Sequence, residues 1–351
     1  MRRGSASRRD AGRVCGIVPP QILIAICENG TQEERACALE TLLLSERLRT
    51  RRRLLALLPG ATPAGQKSRN VYDAGHRMTL PGKLVRAEDD PPSSDSAVNE
   101  AYDGAGATYD LYEQAYGRNS IDDRGMRLDS SVHYGSGYDN AFWNGSQMVY
   151  GDGDEKFFTR FTKSVDVIGH ELTHGVTAHE ANLDYQGQPG ALNESFSDVF
   201  GSLVKQSALN QTTGEADWLI GEGLFTARVT GLALRSMKAP GTAYDDPVLG
   251  RDPQPSHMRD YAETQEDDGG VHINSGIPNH AFYLAATAIG GRAWEKAGKV
   301  WYAALTKHLR HDSDFAAAAR LTSDSAAELF GKGSTEEKAV REAWRAVGLS
   351  V

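Results

Sequence analysis

Cysteine is nearly absent from this chain: Cys15, Cys27 and Cys37 are the three among 351 residues, so nothing beyond position 37 can form a disulfide. The rest must be held by a buried core, and a chain of this length suffices for two packed domains. This says nothing about compartment, since a large core needs no staples. Long hydrophobic runs are missing as well. No stretch of about 18 apolar residues occurs, which argues against a membrane-spanning helix. An export signal needs an apolar run of about 7–15 residues near the start. The nearest, Ile22-Leu23-Ile24-Ala25-Ile26, is short and follows Pro19-Pro20. A cytoplasmic location, or export by a route without such a signal, is therefore expected. Excess positive charge is lacking too: the net charge is −9, which argues against nucleic acid as a partner.

The charge is unevenly placed. Arg2, Arg3, Arg8, Arg9, Arg13, Arg47, Arg49, Arg51, Arg52 and Arg53 crowd the first part, and acid dominates later. A basic segment on an acidic body points to two parts that attract each other. Residues 1–14, polar and rich in Arg, Ser and Gly, are expected to be disordered. A short helix is predicted over 21–28, stopping at Gly30. Thr31 with Glu34 reads as a capping box that opens a second helix. Pro59-Gly60-Ala61-Thr62-Pro63-Ala64-Gly65 has linker composition, which divides the chain at about residue 65. From about 69 to 161, short apolar runs such as Ser131-Val132-His133-Tyr134 and Gln147-Met148-Val149-Tyr150 predict strands, with a helix around 100–116. From Ser164 onward helical periodicity prevails, broken by polar loops near 210–217 and 240–270. The expected fold is α+β, with a strand-rich lobe over 66–164, a helical lobe over 165–351 and a cleft between them.

His170-Glu171-Leu172-Thr173-His174 is an H-E-x-x-H sequence with no proline in its flanks. Histidines four apart share one helix face, so both imidazoles reach one ion. The glutamate beside the first histidine then lies near the open position of the metal. There it takes a proton from water whose pKa zinc has lowered. By accident the motif arises in roughly 1% of chains this long, so it needs support. A catalytic zinc of this type requires a third protein ligand. Asn193-Glu194-Ser195-Phe196-Ser197-Asp198 offers one. Asn193 reads as an N-cap, and Glu194 as a ligand in the first turn of a second helix. Asp198, one turn on, reads as the carboxylate accepting the outer N–H of a ligand histidine. The bland alternative for Glu194 and Asp198 is a solvated acidic face.

Four stretches together resemble the thermolysin family of zinc metalloendopeptidases, from about Tyr72 to the end. They are Val167 to Thr177, Gly190 to Asp198, Asn140-Ala141-Phe142-Trp143-Asn144-Gly145, and Gly269 to Pro278. The resemblance implies a two-lobed fold with zinc in the cleft and a neutral endopeptidase acting on proteins or peptides. It implies one catalytic zinc on His170, His174 and Glu194, with Glu171 as general base. His272, oriented by Asp267, and Tyr185 would share the oxyanion of the tetrahedral intermediate. His179, His257, His280, His308 and His311 match no motif role and read as surface or packing residues. Asn140 and the Ala141 carbonyl match an edge strand that binds substrate backbone. Arg235 matches the arginine that contacts the carbonyl after the scissile bond. Phe158, Phe161, Val167, Ile220 and Leu234 match an apolar pocket for the residue after the cut, so cleavage on the amino side of bulky hydrophobic residues follows. Taken alone, Arg235 reads as a surface ion pair and the five apolar residues as ordinary core.

Two features depart from most members. Many carry a double calcium site beside the active-site helix. Here Asp166, Asp217 and Glu222 survive, but Lys205 and Leu219 stand where further carboxylates are expected. Calcium takes about 6–8 oxygens and an ammonium repels it. Lys205 is therefore expected to replace the ion and pair with the acids, or else to point to solvent. The N-terminal part also differs: Cys15-Gly16-Ile17-Val18-Pro19-Pro20 and the short helix after it resemble the propeptide of the protealysin-like subgroup. Residues 1 to about 65 would then be an inhibitory prosegment, released by cleavage between 59 and 69, and the enzyme a zymogen. Cys15 either enters the open zinc position as a thiolate or packs half-buried beside the prolines. Secretion, common in the family, is the alternative location, and a monomer is expected. Two other activities fit less well. A related zinc aminopeptidase would need an anchor for the substrate amine, such as Gly-x-Met-Glu-Asn, which does not occur. A non-catalytic zinc scaffold would need four protein ligands and neither a base nor oxyanion donors, yet Glu171, Tyr185 and His272 are present.

Overall fold

The computed structural model describes residues 16–55 and 67–351, with backbone alone over 46–55. Cys15, the disorder expected of 1–14 and the linker at 59–65 lie outside the described residues, as do the side chains of the arginines between 47 and 53. Pro20 opens α1 (Pro20–Asn29), where a proline forfeits only an N–H that has no partner in a helix anyway. Gly30 ends it, its N–H returning to the Ile26 carbonyl at 2.9 Å. The capping box forms at the start of α2 (Gln32–Leu55). Thr31 N–H donates to Glu34 Oε2 at 2.7 Å and Glu34 N–H to Thr31 Oγ1 at 3.5 Å.

The strand-rich part holds β1 (Arg69–Asp73), β2 (Lys83–Arg86), α3 (Ser96–Tyr116), β3 (Leu128–Val132), β4 (Ala141–Trp143) and β5 (Met148–Tyr150). The five strands form one sheet in the order β2-β1-β3-β5-β4. β1, β3 and β5 run parallel, and the two outer strands pair antiparallel to them. β4 therefore stands at the sheet's edge, where an extended segment can pair with it. The helical part begins with α4 (Val165–His179) and α5 (Gly187–Ala208). Two short ribbons follow, β6 (Leu219–Ile220) with β7 (Arg235–Ser236), and β8 (Asp245–Asp246) with β9 (Gly250–Arg251). Then come α6 (Asp267–Asn274), α7 (Gly276–Ile289), α8 (Ala297–Ala303), α9 (Phe315–Phe330) and α10 (Thr335–Ala346). Among the described residues no helix is long and apolar enough to cross a membrane.

Two glycines let α4 and α5 touch. A Cβ on Gly201 would lie 3.0 Å from the His170 amide and run into the Asp166 carbonyl, and one on Gly169 would lie 3.1 Å from the Gly201 Cα. With hydrogen in both places the helices approach closely enough for short side chains on each to meet.

Two expectations are corrected. Asn193 caps nothing: α5 starts at Gly187, so both Asn193 and Glu194 lie well inside the helix. Pro189, acceptable only in a first turn, was the local mark of the earlier start. His133, read as part of a strand, stands just after β3 with φ 55 in the left-handed region. The expected role of charge is a separate matter, since the side chains of the arginines at 2–13 and 47–53 lie outside the described residues. Among the described residues, the ion pairs between the N-terminal helices and the body put the acids on the helices: Glu33 with Lys156 at 2.9 Å, and Glu34 with Arg228. Both glutamates occupy the first turn of α2, where the capping box and the helix dipole favour them.

Candidate active site

His170, Glu171 and His174 are buried in the middle of α4, and Glu194 and Asp198 are buried on α5. His170 Nδ1 meets Asp198 Oδ1 at 2.7 Å. Burial pushes the Asp198 carboxyl up, but Arg235 and His170 outweigh it and hold it down at about 2. It therefore accepts, and His170 donates from Nδ1. Asn193 Nδ2 donates to the Leu183 carbonyl at 3.3 Å, which leaves its Oδ1 facing His174 Nδ1 at 2.8 Å. The Nδ1 atom of His174 thus carries a proton as well. Both Nε2 atoms then present lone pairs, 3.1 Å apart. Glu194 Oε2 lies 3.4 Å from the His170 Nε2 and Glu194 Oε1 3.4 Å from the His174 Nε2.

Three electron-rich atoms packed so closely in a dry site call for a cation. Zinc–donor bonds of about 2.0–2.2 Å give a tetrahedron with edges of about 3.3–3.6 Å, close to the separations here. Glu194 Oε2 has no hydrogen-bond partner among the described residues, as a ligand atom would not. The donor set fits zinc.

Around this set the other polar groups converge. Glu171 Oε2 accepts the Trp143 backbone N–H at 3.0 Å, and its Oε1 is buried without a hydrogen bond among the described residues. Burial raises its carboxyl to about 8, against His170, which lowers it, and with Glu194, which adds to the rise. His272 Nε2 lies 3.5 Å from Glu194 Oε2 and 3.5 Å from the Tyr185 hydroxyl, which itself donates to Glu194 Oε1. Asp267 holds His272 twice, at 2.6 Å on Nδ1 and 2.8 Å on the backbone N–H.

The first described residues of the chain lie along β4. Ile17 N–H donates to the Ala141 carbonyl at 3.1 Å, and Val18 N–H to Asn140 Oδ1 at 2.9 Å. Gly16 stands opposite Phe142 in an antiparallel bridge. A Cβ at Gly16 would lie 2.6 Å from the Asn140 amide group, so any larger residue there would have to displace that side chain. Arg235 donates from Nη1 to the Ile17 carbonyl at 3.1 Å, and from Nε and Nη2 to the two Asp198 oxygens at 2.8 Å. It is buried rather than the surface pair it reads as alone. Phe158, Phe161, Val167, Ile220 and Leu234 are buried in the same apolar cluster as Ile17.

Comparison with known proteins agrees with this geometry. The family described as thermolysin metallopeptidase, catalytic domain, matches residues 61–178, and its alpha-helical domain matches 181–349. The chain belongs to the thermolysin family of metallopeptidases. Residues 15–43 match the protealysin propeptide. Over 339 residues the chain is 53% identical to an extracellular metalloprotease of Pectobacterium carotovorum subsp. carotovorum, covering 96% of this chain and 97% of that protein. It is 47% identical over 344 residues to protease PrtS of Photorhabdus sp. (strain Az29), covering 96% and 92%. The solved precursor of protealysin, a metalloproteinase from Serratia proteamaculans, superposes with a TM-score of 0.88 at 53% identity, covering 96% of this chain and 100% of that one.

This thermolysin-family chain is thus a metalloendopeptidase carrying its propeptide, and its His170, His174 and Glu194 suit the catalytic zinc the family uses. Several supporting residues of this thermolysin-like site escape sequence reasoning. Asn193 serves His174 instead of capping a helix. Asn279 Nδ2 donates to Asp198 Oδ2 at 2.8 Å; the available signal was a lone amide in the apolar start of α7. The Trp143 backbone N–H carries no side-chain signal at all. Lys205 points inward, 2.6 Å from Asp217, 3.4 Å from Glu222 and 3.5 Å from Asp166. His280, His308 and His311 bond to Met237, Glu328 and Asp184, away from the zinc ligands.

Proposed function

We propose that this metalloendopeptidase cleaves peptides on the amino side of bulky hydrophobic residues with Glu171 as base, and that residues 16–18 keep it latent by lying where substrate would lie. Zinc on His170, His174 and Glu194 would supply Lewis acidity, lowering the pKa of water and polarising the scissile carbonyl. Glu171 accepts the proton of the attacking water and passes it to the leaving amine. The Trp143 N–H ties down one of its oxygens and leaves the other for this task. His272 and Tyr185 donate to the carbonyl oxygen as it gains charge, a contact that strengthens only in the transition state. Asp267 keeps the His272 ring aimed.

The observation that carries the reading is how Ile17 is held. Its N–H is on the Ala141 carbonyl, its own carbonyl on Arg235, and its apolar side chain is fully buried. These are the groups that would hold the residue after the cut. A prosegment bound this way inhibits by occupancy, and cleavage between 59 and 69 would let it leave; Cys15, one residue before Gly16, is placed in sequence to add a thiolate to the metal. Lys205 takes the place of calcium beside α4. The name of the Pectobacterium relative, extracellular metalloprotease, favours secretion over a cytoplasmic location.

Blocked peptides differing only in the residue after the cut test specificity, with Leu and Phe expected to far exceed Asp. Glu171→Ala should abolish turnover while atomic emission finds the zinc content unchanged. Turnover retained in that variant would remove Glu171 from the mechanism, and indifference to the residue after the cut would remove the pocket.

A further inference from the structure

Well apart in sequence from the zinc ligands, two histidines and an aspartate meet just beyond the end of β3. We propose that His76, His133 and Asp152 form a second metal site, for Zn2+ or a divalent transition ion of similar ligand preference. His133 Nδ1 lies 2.9 Å from both Asp152 oxygens, and His76 Nδ1 3.5 Å from Asp152 Oδ2. One ligand atom from each residue lies within 4.8 Å of the other two. The His76 side chain is 63% exposed, so its ring is free to turn and close that distance toward the tetrahedral edge of about 3.3–3.6 Å.

The backbone brings the two rings together. Both histidines are left-handed, with φ 57 at His76 and 55 at His133, a conformation that costs a residue with a side chain and tends to mark functional places. The His76 N–H donates to the His133 carbonyl at 2.9 Å, and the ring centroids stand 5.5 Å apart. A supporting carboxylate is also present. Asp95 Oδ2 lies 2.8 Å from His133 Nε2, the ring nitrogen that would face away from the ion. The other Asp95 oxygen is fixed by the Ala97 N–H at the start of α3. A ligand histidine backed by a carboxylate on its far nitrogen is the usual arrangement around protein-bound zinc. Two imidazoles and one carboxylate suit zinc, cobalt or nickel, whereas calcium wants oxygen alone.

A proton competes for this place. Asp152, and after it Asp95, outweigh burial and hold the His133 imidazole charged up to about 9. An ion must therefore displace the His133 proton, and its binding tightens as pH rises. Met78, in the same turn as His76, lines a cavity with Leu44 of α2. The ion would brace a turn that borders the prosegment.

Zinc content of the full chain decides the matter, measured by atomic emission after equilibration with buffered free Zn2+ and removal of unbound metal. At about pH 9, well above the ordinary imidazole value, two equivalents are expected, and at about pH 6, below it, one. His76→Ala, on an exposed turn, should hold one equivalent at both, and His76→Gln, which keeps a polar side chain there, the same. One equivalent in the unaltered chain at both pH values would overturn the proposal. Two equivalents retained by both variants at pH 9 would overturn it too, by moving the second ion elsewhere. The outcome does not depend on the activity assigned to the first zinc.

Discussion

Arg235 reaches the Ile17 carbonyl with Nη1 at 3.1 Å while Nε and Nη2 grip both oxygens of Asp198. Asp198 in turn holds His170. Through one guanidinium the prosegment is thus linked to His170 in three hydrogen-bonded steps, and its planar fork is what allows three directed bonds at once.

Shortening the side chain that this arrangement buries should loosen the prosegment. Ile17→Ala removes a fully buried side chain, a change that typically costs about 2–5 kcal/mol. The precursor is expected to show peptidase activity before maturation and to mature faster. Assay of the uncleaved chain against a blocked peptide, beside gel analysis of its length, reads both. A precursor as silent as the original would remove Ile17 from the latency mechanism.

Arg235→Lys keeps the charge but loses the fork. Charge-assisted hydrogen bonds contribute about 1.5–3 kcal/mol each, so kcat/KM of the mature enzyme should fall about 10–200-fold. Because a lysine cannot hold both Asp198 oxygens and a substrate carbonyl, kcat and KM should both worsen. Steady-state kinetics at unchanged zinc content checks this, and an unaffected kcat/KM would deny Arg235 its substrate role.

Lys205 is mostly buried against Asp166, whose carboxyl burial pushes up and Lys205 pulls down. Lys205→Met would strand that carboxylate. Breaking a buried pair costs about 3–5 kcal/mol, toward the lower end here because Asp217 and Glu222 sit nearer solvent. A clear drop in the unfolding temperature is expected. In the unaltered chain that temperature should not respond to EGTA. Stoichiometric calcium after dialysis would overturn the replacement of the ion by lysine.

Docking of the prosegment should weaken in acid. The hydrogen bond from Arg228 holds the Glu34 carboxyl at about 2, below its ordinary 4.5. A depressed acid stabilises the contact fully above the ordinary value and loses that contribution as pH falls toward 2. A nicked prosegment should therefore dissociate progressively over that range. Glu34→Gln should bind more weakly at neutral pH and lose this part of the acid dependence, as read by size-exclusion chromatography across pH.

Much of the site is legible in the chain because its spacing is local. His170 and His174 must share a face at one helical turn, and the same holds for Glu194 and Asp198, wherever their helices go. The capping box at Thr31 and Glu34 is equally local. Asn193 shows where this stops: its residue type suits a cap, but its role was settled by which helix lay across from it. The prosegment was legible as a segment, while the direction of its ion pairs was not. Overall charge pointed to arginines whose side chains lie outside the described residues, and the described contact uses Glu33 and Glu34 against Lys156 and Arg228. Net charge is a long-range average, whereas a contact depends on the few side chains that meet.

The sequence by itself singled out His170, His174 and Glu194 as a donor set for zinc, Glu171 as the proposed base and Asp198 as the orienting carboxylate, because periodicity and donor chemistry are properties of neighbouring residues. Only the tertiary structure decided that Arg235 meets Ile17, that Asn279 meets Asp198, and that His76 and His133 share one corner with Asp152. Those partners come from far apart in the chain. What unites them is sheet register, close helix packing at Gly169 and Gly201, and left-handed turns, none of which leaves a short-range pattern to read.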